Sequence, residues 1–280
     1  RCSMQRLLVA SDLSPRSAHA VGRALQLAAQ LNAELHVLHV VDEDQPATLA
    51  KHAKAEAERE LQRQVDAGPA GVNAHVEVVL GHPVEHVLAA AEAKEAELIV
   101  LGTHRKSPLK DILVGTTADQ LIRHAQRPVL VVRDAPTQAY RKALAAIDLS
   151  DHSRRAVEFA ASLLPQLPIS LLYVYSMSYT GVASLSQDPA DSEKNEQLLR
   201  NLLREEDRRQ LDEFAKLGSE QKVNIRAGQV LSVIPEEVAQ QQADLLVIGS
   251  QGRGGVARAL LGSVASALVR RPPCDILVVR

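Results

Sequence analysis

Glycines and hydroxyls at fixed spacing carry most of the chemistry this chain offers. Gly249-Ser-Gln-Gly252 is followed, after nine residues, by Gly262-Ser263, with an apolar run before it and a helical pattern after it. Such a stretch reads as a phosphate cradle. Glycine permits positive φ or the close approach of a ligand, and Gly262-Ser263 sets bare N–H groups and a hydroxyl at the first turn of a helix. A helix N-terminus carries about half a positive charge, which draws an anion, and Arg253 and Arg258 are placed to add formal charge. The first half repeats the stretch as Gly102-Thr-His-Arg105, nine residues, then Gly115-Thr116, so both outer anchors recur while arginine replaces the middle glycine. One glycine after a strand usually only turns the chain; the full spacing, twice over in equivalent places, argues for a ligand site.

Other chemistries find less support. His82 and His86 lie four apart at a helix start, but no third ligand accompanies them, and a solvated helix face is the simpler reading. His36 and His39 are three apart on a strand and point to opposite faces. Asp12 and Asp148 follow strands without a neighbouring nucleophile, which argues against general bases. The chain has no Gly-x4-Gly-Lys-Ser/Thr loop, no Gly-x-Ser-x-Gly elbow and no His-Glu-x2-His. No catalytic residue or protein-derived metal site is expected.

Composition narrows the class. The chain has 280 residues, 46% of them hydrophobic, enough for two ordinary cores. With 32 basic and 34 acidic side chains the net charge is −2, which recruits neither nucleic acid nor anionic lipid. Aromatics are only 2% and tryptophan is absent, removing most stacking platforms for single-stranded nucleic acid. Cys2 and Cys274 match neither a metal pair nor a disulfide framework. The opening residues lack the long apolar core of a signal peptide, and no run approaches the roughly 20 residues that span a bilayer. A cytoplasmic protein bound to neither membrane nor nucleic acid is expected.

Short β-rich runs alternate with helical patterns, as in βα units feeding a parallel sheet. In the first half the runs are 6–10, 34–41, 74–80, 97–102 and 128–133; their nearly continuous apolar character implies a sheet covered on both faces. Ala18, Val21, Leu25, Ala28 and Ala29 recur at helical spacing after Ser14-Pro15, Ala47 to Ala67 reads as a charged helix stopped by Gly68-Pro69, Pro83 opens another helix, and Thr116 a fourth. From Lys142 the order starts again, with strands at 142–147, 169–175, 223–227, 245–249 and 275–279 and helices from about Ser150, Asp191, Ser232 and Ser263. An internal duplication is the simplest account. The distance from Asp148 to Gly262 exceeds that from Asp12 to Gly115 by 11 residues, an excess assigned to 176–191 and the helix after it. Residues 134–140 form the linker, giving domains 1–134 and 141–280.

With strands, repeats and motif assembled, Gly249-x2-Gly252-x9-Gly262-Ser263 resembles the ATP-binding motif of the universal stress protein family. Essentially the whole chain is similar to that family's Rossmann-like domain, a fold of the adenine nucleotide alpha hydrolase type, in tandem. Ala10-Ser-Asp12-Leu-Ser14 and Ala146-Ile-Asp148-Leu-Ser150 match its Asp-x-Ser signature. His39-Val40-Val41-Asp42 resembles its second-strand ending, while Tyr173-Val174-Tyr175-Ser176 departs from it; a main-chain contact at Val174 survives that change.

The resemblance implies two α/β domains, each a five-stranded parallel sheet with four helices, paired within one chain through Val129–Val132 and Ile276–Val279. A homodimer and a downstream protein partner stay open. It implies that Ala146, Asp148 and Val174 border an adenine, that Gly249, Gly252 and Arg253 shape the ribose and phosphate turn, and that Gly262, Ser263 and Val264 hold phosphates. ATP or a related adenine nucleotide is the implied ligand, with Mg²⁺ held by the phosphates. Asp12, Val40, Gly102, Gly115, Thr116 and Thr117 take the corresponding places in the first half. There Arg105 brings a Cβ where glycine is expected, so affinity falls or ligand preference changes; alternatively His104-Arg105-Lys106 builds a basic anion pocket. Stress signalling by nucleotide binding is the implied function, with slow hydrolysis or self-phosphorylation and a nucleotide-free interaction protein as the other readings.

Overall fold

The computed structural model describes residues 5–41, 47–103, 117–176, 192–252 and 261–280, with side chains described for all of these except 47–50, 117, 192 and 193. Two compact units emerge. One comprises residues 1–139 with 275–278, and the other 140–274 with 279–280.

The first unit alternates β1 (Arg6–Ser11), α1 (Pro15–Leu31), β2 (Glu34–Val41), α2 (Ala47–Asp66), β3 (Ala74–Leu80), α3 (Pro83–Ala93), β4 (Leu98–Gly102), α4 (Thr117–His124) and β5 (Val129–Val132). Its strands run β3-β2-β1-β4-β5, and the described pairings among them are parallel. Order reverses between β1 and β4. In open α/β sheets such a reversal opens a crevice beyond the carboxyl ends of the two strands. β4 and β5 are almost wholly buried, as their apolar runs demand, whereas edge strand β3 alternates and buries only Val78.

Helix α1 starts where Ser14 Oγ accepts the Ser17 N–H with Pro15 in the first turn, and ends at Asn32 in the left-handed region (φ 52°). Of the expected apolar stripe, Val21, Leu25 and Ala28 are buried and Ala29 is exposed. The buried face is wider than that stripe, because Arg23 joins it. Its guanidinium lies 3.3 Å from Asp275 and donates to the Gln138 carbonyl at 2.8 Å, and Asp275 also accepts the Arg133 N–H at 2.8 Å. Asp275 opens β10 (Asp275–Val279), which pairs antiparallel with β5, Leu277 opposite Leu130.

In the second unit β6 (Ala143–Ile147), α5 (Asp151–Leu163), β7 (Ile169–Tyr175), α6 (Ser192–Leu202), α7 (Glu205–Ala215), β8 (Val223–Ala227), α8 (Val230–Gln241), β9 (Leu245–Gly249) and α9 (Ser263–Arg270) follow in order. Strands run β9-β6-β7-β8 in parallel, so the reversal falls between β6 and β9. One helix was expected from about Asp191; the described residues hold two. The break at Leu203-Arg204 lets Leu199, Leu203 and Leu211 all be buried, and Glu205, Glu206 and Asp207 favour a new helix start by opposing its dipole.

Removing the buried Asp275 carboxylate strands the Arg23 charge. Asp275→Ala should cost about 3–5 kcal/mol of unfolding free energy, read from urea unfolding followed by circular dichroism; a loss below about 1 kcal/mol would show that the pair anchors nothing.

Candidate functional site

Beyond β6 the chain makes a tight, hydrogen-bonded turn. Asp148 Oδ1 accepts the Ser150 N–H at 3.1 Å and its hydroxyl at 2.6 Å. Ser150 Oγ in turn caps α5 by accepting the Ser153 N–H at 3.2 Å, and Ser153 Oγ donates to the Ser150 carbonyl at 2.9 Å. Between them Leu149 sits at φ 64°. A branched side chain held in the left-handed region costs about 1–3 kcal/mol, a form of strain that collects at functional sites. The result is a carboxylate fixed at the switch point.

Gly249 ends β9 against the start of α5. A Cβ there would lie 2.9 Å from the His152 carbonyl carbon and the Ser153 nitrogen. A Cβ on Gly252 would lie 2.7 Å from Asp148 Oδ2, so the Gly-Ser-Gln-Gly turn passes directly over the carboxylate. Neither glycine, nor Gly262 at φ −58°, has positive φ. Of the two uses a glycine offers here, space rather than positive φ is what Gly252 requires, and at Gly249 that space serves backbone packing.

The loop returns at Gly262, whose N–H donates to the Ser250 carbonyl at 2.8 Å. Gly262 caps α9 without a side-chain hydrogen bond, leaving the opening amides of that helix beside a cavity of about 740 Å³. That volume suits a small-molecule ligand, for which pockets run from about 300 to 1,000 Å³. Ala146, Asp148, Val174, Gly249, Gly252, Gly262, Ser263 and Val264 all line it; Arg253 lies outside the described residues. Ser250 also lines the cavity, 3% exposed, with a buried hydroxyl that finds no partner among the described residues. Burial pushes the His152 pKa down, with Arg155 adding to that against the pull of Asp148 and Asp151, so the imidazole beside this turn is neutral at pH 7.

The first unit repeats the turn. Asp12 Oδ1 accepts the Ser14 N–H at 3.0 Å, Leu13 sits at φ 61°, and Ser14 Oγ accepts the Ser17 N–H at 3.3 Å. A Cβ on Gly102 would lie 2.7 Å from the Arg16 carbonyl oxygen. Asp12, Val40 and Gly102 line a cavity here too, of about 150 Å³. Thr117 opens α4; Arg105, Gly115 and Thr116 lie outside the described residues.

Two such sites on one chain have a counterpart in known proteins: a profile of the universal stress protein family matches residues 4–133 and again 139–280. The chain belongs to the universal stress protein family. It is 32% identical to a universal stress protein of Methanocaldococcus jannaschii over 141 residues, covering 46% of this chain and 82% of that one. Universal stress protein E of Escherichia coli is 25% identical over 224 residues, covering 75% and 69%. A universal stress protein from Archaeoglobus fulgidus shares the fold with a TM-score of 0.69 at 20% identity, covering 100% of this chain and 99% of that one.

In this tandem universal stress protein, motif reading found the glycine anchors and both aspartates but missed the apolar wall. Leu172, Val230, Ile234 and Ile248 line the second cavity; they are ordinary core residues in sequence, and only their strand-end or helix-start positions distinguish them. Tyr173, on the lining beside Val174, was legible as a departure from the family pattern. His39 Nδ1 lies 2.7 Å from the Ser11 carbonyl, and His36 stacks on His75 at 5.5 Å. Among the described residues no helix is long and apolar enough to cross a membrane.

Because its neighbours are backbone atoms, Gly249→Ala should cost about 1–3 kcal/mol, more than Gly262→Ala, whose nearest contact would be 3.3 Å. Chemical denaturation of both variants checks this; equal stability would mean that the strand-to-helix contact is slack.

Proposed function

We propose that this protein binds ATP, or a related adenine nucleotide, in its second unit, and that occupancy reports stress or energy status to other proteins in the cytoplasm. The observation that carries the reading is the joining, in one cavity of about 740 Å³, of two unlike ends. At one end a fixed carboxylate, Asp148, and the apolar Leu172, Val174 and Ile234 suit a flat ring with an amino donor. At the other the uncapped start of α9 offers N–H groups and a helix dipole to phosphates.

The chain's own residues fit such a ligand. Gly252 leaves room above Asp148 that a Cβ would fill, and near the turn Ser250 adds a hydroxyl that has no partner among the described residues. In this reading Val174 meets the base through its main chain, Gly249 and Gly252 admit the ribose, and Gly262, Ser263 and Val264 hold the phosphates, with Arg253 contributing charge. Mg²⁺ would ride on the phosphates and neutralise them. The function in this reading is binding.

Calorimetric titration with Mg-ATP should give saturable binding at about one per chain, as the second unit's cavity implies. Gly262→Trp, which plugs the cradle, should abolish it, and Gly115→Trp should leave it intact. Retained binding in Gly262→Trp would remove α9 from the account.

A further inference from the structure

The two units treat their outer strands differently. β3 ends the strand order in the first unit and β8 in the second. An edge strand presents unpaired N–H and C=O groups that template pairing with another chain unless something covers them. Over β8 something does. Helix α6 lies against that strand with Leu199 buried, and Arg200 Nη2 donates to the outward-facing Val223 carbonyl at 3.1 Å.

β3 has no such cover among the described residues. The Leu35 N–H donates to the Asn73 carbonyl and the Gly81 N–H to the Val41 carbonyl, and between them His36 pairs with His75 and Val40 with Val79. That register turns the main-chain groups of His75, Glu77 and Val79 toward β2. Those of Ala74, Val76, Val78 and Leu80 face outward, and no hydrogen bond takes them up among the described residues. The strand, AHVEVVL, carries neither the proline nor the lysine that commonly blunts an edge. Its two polar side chains, His75 and Glu77, are both exposed and, two residues apart, stand on one face.

Those two side chains decide what fits the edge. When two copies pair antiparallel about a two-fold axis, the position of the axis fixes which side chains meet. An axis on Glu77 sets carboxylate against carboxylate, one on His75 sets imidazole against imidazole, and one on Val78 sets Glu77 against Val79. An axis on Val76 sets His75 opposite the partner's Glu77 and Glu77 opposite the partner's His75. These are non-hydrogen-bonded pairs, in which facing side chains come closest and opposite charges stabilise. In the same register Val76 bonds the partner's Val76, and Ala74 the partner's Val78, through the outward groups. His75 meets Glu34 through Nε2, at 3.1 Å, which leaves Nδ1 for a carboxylate across the edge. Glu77 meets Lys94 through Oε2, at 3.4 Å, which leaves Oε1.

We propose that β3 is a self-association edge: two copies of the chain join their first units antiparallel through residues 74–78, in the register centred on Val76. The inference is independent of any ligand in either cavity.

Sedimentation equilibrium of the full chain should show a monomer–dimer equilibrium. Val76→Pro removes the amide that both copies offer at the centre, and because that amide faces outward the bonding to β2 survives. The loss of two hydrogen bonds per dimer should weaken association at least about tenfold, with circular dichroism unchanged. His75→Glu and Glu77→Lys each bring like charges together and should each weaken self-association about fivefold. Mixed one to one, those two variants meet in opposite-charge pairs and should form a heterodimer at least as tight as the wild-type dimer. A wild-type chain that stays monomeric, whatever other protein's strand it accepts, a dimer untouched by Val76→Pro, or a mixture no tighter than either variant alone would each overturn the proposal.

Discussion

Both sites depend on one close approach: the end of the strand beyond the switch point runs against the first turn of the helix that follows the unit's opening strand. At Gly249 and Gly102 a single methyl carbon would fall inside 3 Å of backbone atoms, a separation that packed atoms do not tolerate without shifting. Because those strand ends lie so near the helix starts, the loop leaving Gly249 crosses above Asp148. The carboxylate, the glycine turn and the returning helix are thereby brought around one space. The strained leucines, Leu149 and Leu13, belong to the same device, since a residue at positive φ between aspartate and serine lets both side chains bond the turn.

The two units share this frame and part company in what it encloses. Their described linings correspond closely: Ala10, Asp12, Ser17, Leu38 and Val40 match Ala146, Asp148, Ser153, Leu172 and Val174. Yet one cavity is about 150 Å³ and the other about 740 Å³. The two cavities thus share their strand-end lining and differ in the space around it. Divergence reaches the core as well. Arg23 and Asp275 form a buried ion pair in the first unit, whereas the corresponding residues of the other repeat are Phe159 and Pro128. A buried pair is worth little as a source of net stability but costs much when broken, so it fixes where β10 docks.

Much of this was legible in sequence. Strand runs such as Leu98–Gly102 and Leu245–Gly249 are buried and read as continuous apolar segments; the spaced glycines marked the turn that passes over Asp148. What escaped has physical reasons. The Arg23–Asp275 pair joins residues remote in sequence, and arginine on a helix ordinarily faces water. Leucine carries no signature of positive φ, so the strain at Leu13 and Leu149 was invisible. Spacing places Gly249 in the glycine turn, while the backbone contact it makes with the start of α5 leaves no mark in sequence. The helix expected from Asp191 divides because tertiary burial of Leu203 outweighs the helical periodicity that runs through it.

Nucleotide content of the purified, unsupplemented protein tests the central claim most directly. After denaturation and removal of the chain, mass spectrometry of the supernatant should find an adenine nucleotide at about one per chain, as the second unit's cavity implies. Its absence, both as purified and after incubation with Mg-ATP, would contradict the account.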